Sequence, residues 1–358
     1  MGKIRFGVVG AGWRAEFFTR IAAAAPDVFA VPPVVARRPE KVELFTRTWG
    51  CPVYATMDEM LESETLDFVI TSLPWATNPE LIKVLVQRGV PVLSETPPAP
   101  EVADMVDLWE YVKKKDGKVC VAEQYFLQPY YAAVRAVIAR GLLGAVTQAQ
   151  VSAAHGYHGM SLMRKLLGIG YEDATIEARS FTAPLVEGPG RDGPPSEEQV
   201  GDSTQTFYWL NFDGKLGFMD FCGEQYFSWV RNNRVLVRGE RGEIVNDQVA
   251  HLKDFRTPLY LEFVRHVAGG PGNLEGHYLK GVQLGAEWVY ETPLAGAPLA
   301  DDEVAIGALM LGMADYVEGG VPPYPLAEAC QDHYLSITCA QALKEGRSLR
   351  TERQPWAE

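Results

Sequence analysis

Long apolar runs and an excess of basic residues are both missing from this sequence. No stretch of its 358 residues approaches the roughly 18 uninterrupted apolar residues of a membrane span. The chain holds 33 basic and 46 acidic residues, a formal net charge of -13, and its longest basic block is Lys113–Lys115. Because this charge repels polyanions and no basic stripe opposes it, we expect no nucleic-acid partner. The lack of a long apolar run likewise predicts no association with a membrane.

Cysteine is also scarce, and the N-terminus has no secretion signal. The chain enters a strand-like run at once, without the apolar stretch and cleavage site of a signal peptide, which predicts a cytoplasmic location. The five cysteines form no CxxC pair and no cluster with the spacing of a zinc site, so we expect reduced core thiols and no metal centre. They are Cys51, Cys120, Cys222, Cys330 and Cys339.

The length of the chain predicts two domains, since one domain usually spans roughly 100–200 residues. In the first third, short apolar runs alternate with segments of helical period, which is typical of βαβ units. The predicted strands are 4–10, 28–36, 67–71, 91–94 and 119–122, and the predicted helices are 13–25, 39–49, 78–88 and 101–115. Such strands indicate a doubly wound parallel sheet that binds ligands at the carboxyl ends of its strands.

A glycine-rich turn follows the first predicted strand. In Gly10-x-Gly12-x-x-Ala15 the first glycine permits a tight turn, the second lets backbone approach a pyrophosphate, and the small third residue lets helix and strand pack closely. Trp13 and Arg14 are expected at the same site, where free N–H groups at the helix N-terminus stabilise negative charge. The motif and its βαβ context predict a Rossmann domain that binds a dinucleotide; a simple tight turn is the alternative.

The end of the second predicted strand bears on which dinucleotide binds. An acidic residue there would hold the ribose 2′-hydroxyl of NAD, but the chain has Ala36-Arg37-Arg38. Two guanidinium groups and no carboxylate favour the 2′-phosphate of NADP. If the two arginines lie on a solvated loop and do not contact the cofactor, NAD remains possible.

After about residue 123 the pattern changes to longer strands. Helices are predicted at 129–140 and 158–167, and strands at 147–154, 205–212, 215–221 and 229–238. This half indicates an open, largely antiparallel sheet backed by helices. We therefore predict an α/β protein, with a Rossmann domain over residues 1–122 and an α+β substrate and oligomerisation domain over 123–358. The terminal helix 326–345 is expected to pack back on the first domain.

Several short motifs follow the predicted elements in a recognisable order. They are Leu73-Pro74-Trp75-Ala76-Thr77-Asn78, Ser94-Glu95-Thr96-Pro97-Pro98, Gly141-Leu142-Leu143-Gly144, Gly156-Tyr157-His158 and Leu166-Leu167-Gly168. With the glycine turn, they resemble the glucose-fructose oxidoreductase and inositol dehydrogenase (Gfo/Idh/MocA) family over nearly the whole chain. The resemblance implies hydride transfer between a nicotinamide and a carbinol carbon of a sugar, cyclitol or related compound. It also implies cofactor contacts from Leu73, Pro74, Asn78, Glu95, Thr96 and Glu123.

The chain departs from the catalytic set that this resemblance implies. The family's usual set is a Lys in Glu-Lys-Pro, and an Asp four residues before a His. Here Thr96 stands at the Lys position and Ala154 at the Asp position, so only His158 is retained. A threonine can donate a hydrogen bond but carries no charge, whereas His158 can still act as an acid or a base. A packing histidine is the alternative interpretation.

Three neighbouring residues could complete the site. His155 lies three residues before His158, and Glu123 and Tyr125 follow the sixth predicted strand. A residue just past the carboxyl end of such a strand points toward the cleft, which makes Glu123 the strongest of the three candidates. A polar surface turn would explain Glu123 equally well.

Three functions are compatible with these features. The first is an NAD(P)-dependent oxidoreductase acting on a small polyhydroxylated or carbonyl substrate. The second is a cofactor-binding regulator or partner subunit without hydride transfer, and the third is a lyase or epimerase that uses the cofactor transiently. Because the aromatic strands between Tyr208 and Trp229 supply apolar surface for burial between subunits, we also expect a homodimer or homotetramer.

Overall fold

The computed structural model describes residues 2–191, 193–270, 272 and 274–357. Residues 2–123 of this range form a six-stranded parallel sheet with the order β3-β2-β1-β4-β5-β6. The strands are β1 Phe6–Val9, β2 Val34–Val35, β3 Val53–Tyr54, β4 Phe68–Thr71, β5 Val92–Ser94 and β6 Val119–Val121. The order reverses between β1 and β4, so the crevice that binds ligands in such sheets opens at their carboxyl ends.

Five helices cover this sheet, and four of them follow the prediction closely. They are α1 Trp13–Ala24, α2 Pro39–Trp49, α3 Met57–Ser63, α4 Asn78–Gln87 and α5 Val102–Lys114. The short elements β3 and α3 escaped prediction because two and seven residues carry little periodic signal. The strand predicted at 28–36 is wrong in its first part, since Pro32 and Pro33 have no N–H to donate to a ladder.

A second, mixed sheet of 11 strands occupies the described part of the remaining chain. Its strands are β7 Val146–Ser152, β8 Thr175–Val186, β9 Val200–Asn211, β10 Leu216–Phe221, β11 Arg234–Gly239, β12 Gly242–Val245, β13 Gln248–Asp254, β14 Thr257–Val267, β15 Leu279–Leu284, β16 Glu287–Glu291 and β17 Leu349–Arg350. Among these strands only β7 and β10 pair in parallel; the other described pairs are antiparallel. The predicted fold class is therefore confirmed.

One predicted strand in this half is wrong. Residues 229–233 of the run predicted at 229–238 are irregular, and β11 begins only at Arg234. The Ser228 hydroxyl accepts hydrogen bonds from the backbone N–H groups of Val230 and Arg231, at 3.2 Å each, which turns the chain locally. Such side-chain bonds compete with strand pairing, and periodicity does not reveal them.

The described part of the remaining chain also contains four α-helices. They are α6 Pro129–Ala139, α7 Gly156–Leu167, α8 Asp301–Val317 and α9 Leu326–Glu345. Helix α7 packs on β7 and β10, and α9 packs on α7 and β8 as well as on α5 and β6. His333 of α9 lies 3.0 Å from the carbonyl oxygen of Pro100, and the backbone N–H of Val121 donates to the Tyr324 carbonyl at 2.9 Å. The terminal helix thus contacts both sheets, while the boundary at residue 122 stays a prediction.

Two expectations about the core can be compared with the structure directly. All five cysteines are buried and unpaired, which confirms the prediction of core thiols. Within the described residues, none of the helices is long and apolar enough to cross a membrane.

Candidate active site

The glycine turn after β1 has the geometry that a dinucleotide requires. Gly10 has a φ of +122°, and a Cβ there would lie 2.1 Å from the carbonyl oxygen of Ser72, so only glycine fits. Gly12 is the N-cap of α1 without a side-chain cap, and a Cβ on it would meet no atom within 4 Å. The N-terminal end of α1 therefore borders open space at Gly12, as a pyrophosphate needs. Ala15 is fully buried, in agreement with its predicted packing role.

Arg14 links this turn to the second half of the chain. Its Nε donates to Glu95 at 2.8 Å and its Nη1 to Asp302 of α8 at 3.2 Å. Asp302 also accepts hydrogen bonds from the side-chain amides of Gln124 and Gln128, at 3.0 Å each. Burial alone would lower the pKa of Arg14, but the two carboxylates outweigh burial and raise the pKa. Arg14 is thus a charged bridge between α1 and α8 at the edge of the crevice.

The predicted specificity residues lie at the carboxyl end of β2. Arg37 and Arg38 are both exposed, and Arg38 is the N-cap of α2. The Arg38 guanidinium is 3.6 Å from the Glu40 carboxylate, with both side chains more than half exposed. Neither arginine is buried, so both side chains are accessible to a ligand.

The residues after β4 form the next part of the crevice. The Leu73 side chain lies near the Gly10 turn, and Pro74 accepts a backbone hydrogen bond from Thr77 at the start of α4. Asn78 is buried, and its side-chain amide donates to the Ser94 hydroxyl at 2.8 Å. This bond joins the loops after β4 and β5, so Asn78 organises the crevice from behind.

A buried carboxylate–imidazole pair lies where the segment after β6 packs against α7. Glu123 follows β6, and its Oε2 is 2.6 Å from Nδ1 of His158 in the first turn of α7. Glu123 and His158 are only 2% and 8% exposed, and the backbone N–H of Tyr125 donates to the other Glu123 oxygen at 3.1 Å. Ala154 is buried and offers no carboxylate. Glu123 therefore supplies the acidic partner that residue 154 lacks.

Aromatic rings surround the imidazole of His158. The rings of Tyr125, Tyr157 and His155 have centroids 4.7, 4.5 and 5.1 Å from that of His158. His155 Nδ1 is 2.6 Å from the Tyr226 hydroxyl. Burial, with a smaller contribution from repulsion by His158, lowers the pKa of His155 to about 4. His155 is therefore a neutral hydrogen-bonding group near pH 7, not a second cation.

Thr96 reaches this pair through a small cavity. Thr96 and Tyr157 line this cavity together, and the Tyr157 ring contacts that of His158. The cavity has a volume of about 10 Å³ and is lined by Thr96, Pro97, Pro98, Glu123, Tyr157, Ala329 and Asp332. On the outer side, the Trp75 ring is nearly half exposed and lies 6.2 Å from those of Tyr157 and His333.

The structure gathers the predicted catalytic candidates around one imidazole, and adds residues that sequence analysis missed. The gathered residues are Thr96, Glu123, Tyr125, His155 and His158. The missed residues are Tyr226, Asp302 and Asp332. Asp302 belongs to an acidic first helical turn, a pattern that normally indicates helix capping. The sequence around Tyr226 and Asp332 does not indicate a functional role for either residue, because the residues that they contact are distant in sequence.

The first part of the chain is similar to known oxidoreductase sequences. Residues 4–123 match a family described as an oxidoreductase family with an NAD-binding Rossmann fold (GFO_IDH_MocA). Two uncharacterized oxidoreductases of Schizosaccharomyces pombe are 27% and 24% identical over 151 residues. In both cases the match covers 41% of this chain and 41% of the relative's length.

Comparison with solved structures covers almost the whole fold. An oxidoreductase from Agrobacterium radiobacter, in complex with NAD⁺, L-tartaric acid and magnesium, has a TM-score of 0.68 at 15% identity, over 97% of this chain and 98% of that one. Levoglucosan dehydrogenase with NADH and levoglucosan has a TM-score of 0.68 at 15% identity, over 97% and 99%. A putative myo-inositol dehydrogenase from Sinorhizobium meliloti has a TM-score of 0.66 at 15% identity, also over 97% and 99%. At this identity the likeness establishes the fold.

Proposed function

We propose that this protein transfers hydride between a nicotinamide cofactor and a small polyhydroxylated or carbonyl compound, because residues 4–123 match the model of an oxidoreductase family with an NAD-binding Rossmann fold. The observation that carries the proposal is the 2.6 Å contact between Glu123 and His158 at the crevice. A bound nicotinamide would supply the hydride acceptor or donor. Gly10, Gly12 and the first turn of α1 would hold its pyrophosphate.

The acid–base step belongs to His158. Glu123 accepts a hydrogen bond from Nδ1–H, which fixes the tautomer in which Nε2 carries a lone pair. In the oxidative direction Nε2 takes the proton of the substrate hydroxyl, and in the reductive direction it returns a proton to the carbonyl oxygen. The rings of Tyr125, Tyr157 and His155 exclude water from the imidazole and hold it in place.

The substitution of Thr96 for a lysine bears on the substrate. Thr96 can donate a hydrogen bond to the substrate oxygen but cannot stabilise a developing alkoxide by charge. We therefore propose that inositol and common aldoses are turned over very slowly. A substrate with a more acidic hydroxyl, or one that already carries a carbonyl, places less demand on that missing cation.

A substrate panel tests the proposed function. Polyols, hydroxy acids and keto sugars are incubated with NAD(H) and NADP(H), and nicotinamide absorbance and product formation are both recorded. Turnover that His158→Ala lowers by about 10²–10⁴-fold supports the proposal. Robust turnover that persists in His158→Ala refutes the role of His158. A changed product without net cofactor reduction would indicate an epimerase or lyase, and cofactor binding without turnover of any compound would indicate a regulator.

We also propose a preference for NADP(H) over NAD(H). Arg37 and Arg38 are exposed at the carboxyl end of β2, where the ribose of a bound dinucleotide would lie. One charge-assisted hydrogen bond contributes about 1.5–3 kcal/mol, so a preference of about tenfold or more is expected. Arg37→Ala should weaken NADPH binding and leave NADH binding unchanged in a calorimetric titration. Arg47→Ala, on the following helix α2 and paired with Glu43, is the control. Equal affinities for the two cofactors in the wild type would contradict the preference.

The partner that we propose for this chain is a second copy of itself. Phe181 and Trp209 on β8 and β9 are 65% and 48% exposed, and the Trp209 ring lies 5.8 Å from that of Phe218 on β10. An apolar sheet surface of this kind is typical of a subunit interface. Light scattering should give the mass of a dimer or tetramer, and a mass near 39.5 kDa at micromolar concentration would exclude this assembly.

A further inference from the structure

A buried ion pair behind the site takes no part in the chemistry proposed above. Arg164 of α7 is fully buried, and its Nη1 is 2.6 Å from the Asp332 carboxylate on α9. The other guanidinium nitrogens donate to the Gly170 carbonyl and to the Glu328 carboxylate. The second Asp332 oxygen accepts a hydrogen bond from the Tyr324 hydroxyl. The charge of Asp332 is thus held at a fixed position by two donors.

Stability alone does not account for this pair. Removing two charges from water costs several kcal/mol per ion, and apolar residues of similar volume often serve equally well. Asp332 is 2% exposed and Arg164 is fully buried, so little solvent reaches either group. The position of the pair relative to the site offers a reason for its presence.

Asp332 and Glu123 line the same small cavity. Its volume is about 10 Å³, so both residues border a space of about the size of one water molecule. Glu123 bonds to His158 on its other side. The charge of Asp332 therefore acts on the acid–base pair across a region of low dielectric, where Coulomb interactions are strong.

We propose that Asp332 is a positioning residue for Glu123 and His158, whose charge stabilises the imidazolium that His158 forms when it takes up the substrate proton. This inference rests on the proposed function of His158 as a base. With Glu123, Asp332 and Arg164 ionised, the buried group has one excess negative charge, which the proton on His158 neutralises. Without the charge of Asp332, the same proton would leave one excess positive charge.

Several other ionisable groups face this cluster. Burial raises the pKa of Asp332 to about 7, although Arg164 and Tyr324 act to lower it and Glu123 adds to the rise. The cluster consists of Asp332, Arg164, Glu123 and His158. The side chains around it are Tyr157 and Lys165 of α7, Glu328, Cys330 and His333 of α9, and Thr96, Tyr171 and Tyr324. Since the carboxyl loses its proton as the pH rises through about 7, its assistance to His158 should grow over the same range.

The test compares Asp332→Asn with the wild type across pH. On a substrate found in the panel, kcat of the variant should be about tenfold lower at pH 8.5 and equal to that of the wild type at pH 5.5. KM and the cofactor Kd should not change. Gln331→Ala is the matched control, because Gln331 is a buried polar neighbour on α9 that bonds to Trp356 instead. A ratio of kcat values that is the same at every pH, with His158→Ala inactive, overturns this inference but not the proposed function.

A second readout needs no substrate. The ring signals of His158 in an NMR titration, assigned by their loss in His158→Ala, should show an inflection near pH 7 that Asp332→Asn removes. If that variant does not fold, Tyr324→Phe replaces it, because losing one donor to the carboxylate should move the inflection to higher pH. An inflection that is absent from the wild type, or that neither variant changes, overturns the inference.

Discussion

Glu123→Gln is expected to lower kcat by about 10²–10⁴-fold, with little change in cofactor affinity. The carboxylate accepts a hydrogen bond from Nδ1–H of His158 at 2.6 Å. An amide at this position can donate to Nδ1 instead, which would move the ring proton to Nε2 and remove the lone pair that the substrate proton needs. The shape of the side chain is kept, so the loss measures the charge and the tautomer rather than packing.

Steady-state kinetics with the panel substrate and a calorimetric cofactor titration check this expectation. Asp220→Asn is the control, because Asp220 is an equally buried carboxylate that bonds to Arg234 and Gln205 rather than to a histidine. The control should keep most of the wild-type kcat. Wild-type turnover in Glu123→Gln would show that Glu123 does not orient the catalytic base.

Arg164→Met should destabilise the protein by about 3–5 kcal/mol at pH 8, because it leaves the Asp332 charge buried without its cation. The loss should be smaller at pH 5. The pKa of Asp332 is raised to about 7 in the folded protein by burial, above its value in the unfolded chain. Such a group favours folding at low pH and loses that contribution as the pH rises through the folded-state pKa. At pH 5 the carboxyl is neutral, and the absence of Arg164 matters less.

Urea unfolding at pH 5 and pH 8 measures this difference. Lys165→Met is the matched control, since Lys165 is the next residue of α7 and pairs with Glu328 from a partly exposed position. Partly exposed pairs of this kind contribute about 0–1 kcal/mol. An equal loss at both pH values, or a loss no larger than that of the control, would contradict the account of the buried pair.

The local pattern of the sequence accounts for much of the first domain. Helix α2 has the predicted bounds because the residues that start and stop it are adjacent to it in sequence. Pro39 is favoured at the first position of a helix, and Gly50, with a φ of +66°, ends it. The Gly10 turn was predictable for the same reason, because its glycines and the strand and helix that flank it are adjacent in sequence. Periodicity failed where the backbone bonds to a nearby hydroxyl, as at Ser228, or where an element is as short as β3.

The candidate site was only partly predictable. The position of Glu123 after a strand indicated that it faces the cleft. That Glu123, and not Tyr125 or His155, contacts Nδ1 of His158 depended on how α7 packs against the segment that follows β6. Asp302 lies 288 residues from Arg14 along the chain, and Asp332 lies 168 residues from Arg164. Helical period and turn preferences extend over only a few residues, whereas these pairs form when two sheets and their helices pack together. The sequence alone determined the dinucleotide turn and the acid–base histidine as candidates, and tertiary packing decided which charges surround them.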